Sequence, residues 1–145
     1  EQHSSVYDTR RQLASWMKAN AASGMFVVSD SYIHLPKVLE ENGVTGIKAV
    51  EAEFTGDIGS LDAARKAGIT HIAVCKNNYG RFFESKSSPS SSGAGIYSRR
   101  KNFYTQLFSQ GNLVWSSDET VGGVINKTIR LYSIKELPGG QDAQL

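Results

Sequence analysis

Two short apolar runs organise the chain, Met25–Val28 within MFVVSD and Ile69–Val74 within ITHIAV. Their shortness, their β-branched residues and their polar ends predict strands covered on both faces. Ahead of the first run, Val6, Leu13, Trp16, Met17 and Ala21 recur at helical spacing while Arg10, Arg11 and Lys18 fall elsewhere. That pattern predicts an amphipathic helix reaching about Ala21, opened by a capping-box variant at Ser5-Val6-Tyr7-Asp8 and ended by Ser23-Gly24.

Between the two runs, a short helix is expected from His34 or Leu35 to Asn42 with Gly43 as its stop, then a strand in GIKAVEAEF. Ser60 is placed to cap a helix over LDAARKA that closes at Gly68. After the second run, ESKSSPSSSGAG offers almost nothing to bury and reads as a mobile Ser-rich loop within 84–96. IYSRRKNFYTQLFSQG resumes helical spacing, with Phe103, Leu107 and Phe108 on the apolar side. NLVWSS and NKTIRLYSI read as strands, and VGGVI between them supplies glycines for a turn or bulge.

The alternation of helices and strands predicts an α/β fold: a mainly parallel, Rossmann-like sheet flanked by helices, with room for antiparallel strands at its end. A chain of 145 residues suits one such domain, over 6–137, with disordered tails at 1–5 and 138–145. Apolar content of 39% and charged content of 21% belong to a globular protein. No run approaches the roughly 18 to 20 apolar residues of a membrane-spanning helix. The net charge of +2 gives no reason to expect a nucleic-acid partner. A single cysteine, Cys75, rules out an internal disulfide and a cysteine-rich zinc site, and its place at the end of an apolar run suits a buried thiol. EQHSS shows no signal-peptide pattern.

Open α/β sheets bind ligands beyond the carboxyl ends of their strands, so the residues that follow each run are the candidates. These are Ser29, Asp30, Ser31 and Tyr32 after the first, and Asn77, Asn78, Tyr79 and Arg81 in CKNNYGRFF after the second. Ser29 or Asp30 could act as nucleophile or base, and the amides and guanidinium could hold an anion or a sugar hydroxyl. Both clusters equally suit chain corners in which Asp, Asn and Ser satisfy backbone groups. In that case Tyr79 and Phe82 pack the corner while Asn78 and Arg81 tie its backbone. Glu51 and Glu53 share a strand face and read as solvated, and His3, His34 and His71 are not arranged around a nucleophile. Arg99, Arg100 and Lys101 fall at a helix start and are expected in solvent. Asn126-Lys127-Thr128 matches the N-glycosylation pattern. No Gly-x-Ser-x-Gly elbow, Walker A loop, Gly-x-Gly-x-x-Gly fingerprint or metal-ligand spacing occurs, so neither a metal nor a cofactor is expected.

In series, DTRRQLASWMKAN, AGITHIAVCKNNYGRFF, KNFYTQLFSQGNLVWSS and NKTIRLYSI give the chain a family likeness. It resembles the domain that follows the membrane bundle in bacterial glycosyltransferases of the dolichyl-phosphate-mannose protein mannosyltransferase type. The resemblance implies an extracytoplasmic location, periplasmic or at the cell surface, and a membrane-embedded glycosyltransferase or its lipid-linked sugar donor as partner. It also implies no catalytic residue here, because the carboxylate that activates the acceptor belongs to the membrane part of such enzymes. The expectation is a non-catalytic accessory domain whose ligand contacts are Asn77, Asn78, Tyr79 and Arg81, then Asp30 and Tyr32. The alternative is a stand-alone α/β enzyme, or a secreted small-ligand-binding protein, that uses Ser29 and Asp30.

Overall fold

The computed structural model describes residues 5–21, 24–83, 94–117, 120–121, 124–125 and 129–135. The expected tails, the Ser-rich stretch at 84–93, the capping side chains at Ser5 and Asp8, and the Asn126 pattern lie outside the described residues.

Helix α1 (Ser5–Asn20) leads to strand β1 (Phe26–Asp30). A turn of 3-10 helix at Ser31–Ile33 passes to α2 (Leu35–Glu41), which leads to β2 (Lys48–Ala52). A second 3-10 turn, Thr55–Ile58, precedes α3 (Leu61–Lys66), which leads to β3 (His71–Cys75). Ser60 caps α3 as its position foretold, its Oγ accepting from the Ala63 N–H at 3.0 Å. The expected stops at Gly43 and Gly68 both adopt left-handed φ, 71° and 88°.

CKNNYGRFF is not an open loop. It folds into one helical turn, α4 (Lys76–Tyr79), continued by a 3-10 turn at Gly80–Phe82. Helix α5 (Ala94–Gln110) then delivers β4 (Asn112–Ser116), and β7 (Ile129–Ser133) completes the main sheet. Between those two strands, β5 (Thr120–Val121) and β6 (Val124–Ile125) pair antiparallel.

The fold is α/β, built on an open five-stranded sheet in the order β2-β1-β3-β7-β4. Parallel pairing is confined to β2–β1–β3, and β7 is antiparallel to both neighbours, so the sheet is mixed rather than mainly parallel. Among the described residues between β4 and β7 there is no crossover helix, and a strand returning that way arrives antiparallel in the slot beside β3.

Strand residues divide between two cores with a period of two. Val27, Ala73, Cys75, Ile129 and Leu131 face Leu13, Ala14 and Met17 of α1 and Leu35, Val38 and Leu39 of α2. Val28, Ile72, Val74 and Tyr132 face Leu61 and Ala64 of α3 and Phe103, Tyr104 and Leu107 of α5. The strand register shifts between Leu113 and Trp115, and the consecutive Val114 and Trp115 both pack on the α1 side.

Candidate functional site

β1 and β3 are parallel neighbours whose chain departs in opposite directions across the sheet, β1 toward β2 and β3 toward β7. The carboxyl ends of such a pair frame the crevice where open α/β sheets place ligands. Here that position holds the Asp30 carboxylate, fully excluded from solvent. Its Oδ1 accepts from the Thr55 N–H at 2.7 Å and from the Tyr104 hydroxyl at 2.8 Å. Its Oδ2 accepts from the Cys75 N–H at 3.0 Å. One side chain thus joins the ends of β1 and β3, the turn after β2 and the middle of α5.

Asn78 performs the same service one layer outward. Its Nδ2 donates to the Glu53 carbonyl at 2.9 Å and to Ser31 Oγ at 3.4 Å, while its Oδ1 accepts from the Tyr32 N–H at 3.3 Å. The amide therefore bridges the segments that leave β1 and β2. Tyr79 and Phe82 are buried among rings, Tyr79 lying 5.0 Å from Phe108 and Phe82 lying 5.5 Å from Phe54 between centroids. Cys75 is buried as its position implied.

Arg81 does not tie the corner's backbone. Its guanidinium lies over the Phe54 ring, 5.0 Å from the centroid, with the residue exposed. Arg100 approaches the same ring at 4.3 Å and pairs with Asp57 at 2.6 Å. Its side chain is only 22% exposed, which corrects the expectation that it is solvated. Asn77 is exposed and takes a 3.5 Å contact from Cys75 Sγ. The Tyr32 ring is half-buried beneath Arg10, whose guanidinium carbon is 5.3 Å from the ring centroid. The structure thus buries Asp30 and Asn78 in two separate sets of hydrogen bonds, leaves Asn77 and Arg81 on the surface, and ties Tyr32 to Asn78 through its backbone N–H alone.

Burial raises the Asp30 carboxyl from 3.8 to about 6, against the stabilising hydrogen bonds from Thr55, Cys75 and Tyr104. Burial, reinforced by the Asp30 charge, pushes the Tyr104 hydroxyl well above its ordinary value. The phenol therefore remains a donor. A carboxylate near neutrality has the affinity of a general base. Yet both of its oxygens are engaged by the fold and no part of the residue meets solvent. Ser29 is equally buried and donates to the Asp30 carbonyl at 2.9 Å, and among the described residues no hydrogen bond joins it to a histidine. His71 bonds Thr70 through Nδ1 at 2.7 Å, and burial lowers its pKa. Among the described residues no group of three or more His, Cys, Asp or Glu could hold a metal. No helix among them is long and apolar enough to cross a membrane.

Sequence reasoning missed Thr55, Tyr104 and Gly56. A signal existed for Tyr104, because a tyrosine between Phe103 and Leu107 on an apolar face needs a partner for its hydroxyl. A β-carbon on Gly56 would sit 2.9 Å from Arg100 Cα and 3.0 Å from Tyr104 Cε2. The missing side chain lets the Thr55 turn lie directly on α5. Comparison with family models, curated proteins and solved structures returned no match.

Proposed function

We propose that this chain is a non-catalytic accessory domain of a glycosyltransferase-like membrane protein, acting on the extracytoplasmic side. It presents the exposed rim of its strand ends, Asn77 and Arg81, to the acceptor or to a lipid-phosphate-linked sugar. Support comes chiefly from one observation: the carboxylate at the expected ligand position is consumed by three hydrogen bonds from its own fold. The Rossmann-like interpretation rests on the parallel β2–β1–β3 portion, and in this protein its crevice is closed by protein groups. The family likeness of the quoted segments supplies the partner, and the cationic Arg81 beside Phe54 supplies a contact suited to a phosphate or a sugar face.

The enzyme alternative draws on a different observation, the elevation of Asp30 to about 6. The two readings separate when the chain is incubated with polyprenyl-phosphate sugar in detergent. The accessory role predicts binding without sugar release, weakened in Arg81→Ala. Sugar release that vanishes in Asp30→Asn would establish catalysis, and binding indifferent to Arg81→Ala would refute the proposed contact.

A further inference from the structure

We propose that the cleft between α1 and α2 is an oxyanion site that takes a phosphate group. Arg10 and Arg11 of α1 form one wall, and His34, Lys37 and Glu41 form the other. Lys37 and Glu41 lie four residues apart on one face of α2, and His34 immediately precedes that helix. Three permanent cations oppose one carboxylate. Among the described residues, neither Arg10 nor Lys37 has a carboxylate within ion-pair distance.

Arg10 is already held in place. Its guanidinium lies over Tyr32 at 5.3 Å, and its Nη2 donates to the Tyr32 carbonyl. Its Nε is buried with no hydrogen-bond partner. Because the side chain is ordered before any ligand arrives, little rotamer entropy remains to be lost on binding.

Size narrows the ligand. The cleft holds about 230 Å³, below the roughly 300 to 1,000 Å³ of sites for drug-sized molecules. That suits a phosphate with a small substituent, carried by a soluble phosphomonoester or by a lipid headgroup. A larger cleft at the opposite end of the parallel strands lacks the same character. There Arg65 is already engaged, by Asp62 at 3.3 Å and by the Ile134 carbonyl at 2.7 Å. The α1–α2 site shares no residue with the Arg81 contact and stands whether or not the accessory role does.

The test is an amide-resolved NMR titration of the chain with inorganic phosphate at constant ionic strength. Saturable shifts confined to residues 10–11 and 34–42 are expected. Lys37→Gln, an exposed change, should weaken binding about fivefold or more. Arg11→Gln combined with Lys37→Gln provides a second variant and should weaken binding further. Glycerol 3-phosphate and phosphatidic-acid vesicles then separate the sources, and saturation by either supports the site. Linear shifts spread over the basic surface, or an affinity unchanged by Lys37→Gln, would overturn it.

Discussion

The Tyr104 hydroxyl donates to Asp30 Oδ1 at 2.8 Å, linking the middle of α5 to the end of β1 across 74 positions of sequence. Both residues are buried, so the bond forms where water cannot compete for either partner. It makes the central carboxylate part of the fold and works against the burial that raises the carboxyl's pKa.

Asp30 binds its proton more tightly folded, at about 6, than unfolded, at 3.8. Its stabilising contribution is therefore full below pH 3.8, declines as pH rises to about 6, and is absent above. The difference corresponds to about 3 kcal/mol. In urea unfolding from pH 4 to 7, the stability of the wild type relative to Asp30→Asn should fall by about that amount. A difference independent of pH would show that Asp30 does not titrate in this window.

Tyr104→Phe keeps the ring in the core and deletes one donor to the carboxylate. A loss of about 1.5 to 3 kcal/mol is expected at pH 7, and a smaller loss at pH 4, where Asp30 is neutral. Because the deleted bond favours the ionised form, the Asp30 carboxyl carbon should titrate at higher pH in this variant. Equal losses at both pH values would mean that the hydroxyl contributes nothing specific to the charged carboxylate.

The two adjacent amides of CKNNYGRFF should behave oppositely. Asn78→Ala removes the bridge to Glu53 and Tyr32 and should destabilise by about 1 to 3 kcal/mol. Asn77→Ala, on the surface, should stay within about 0.5 kcal/mol of wild type. Chemical denaturation of the pair decides the matter, and equal effects would contradict the division of labour seen in the structure.

Gly56→Ala places a methyl 2.9 Å from the Arg100 backbone. Backbone cannot swing aside as a side chain can, so a loss of about 1 to 3 kcal/mol is expected. A melting temperature equal to wild type would mean that the turn and α5 part readily.

The elements were legible because their causes are local. Apolar periodicity marks α1 and α5, β-branched runs mark β1 and β3, and Ser60 and Gly68 bracket α3. The direction of β7 was less so, since a strand's partners are not written in its own residues. Asp30 illustrates the limit at the candidate site. Sequence placed it at a strand end, where a catalytic carboxylate and a structural one look alike, and only its distant donors tell them apart.

By itself, then, the sequence determined that helices and strands alternate, that two runs are buried on both faces, and that polar residues cluster where those runs end. Tertiary structure decided what those polar residues do. It brought Thr55, Cys75 and Tyr104 onto Asp30, turned Asn78 inward beside an outward Asn77, and placed Arg10 over Tyr32. The physical reason is that propensity and burial pattern act over a few neighbouring residues. A hydrogen bond to a buried carboxylate depends on which distant segments packing brings within 3 Å.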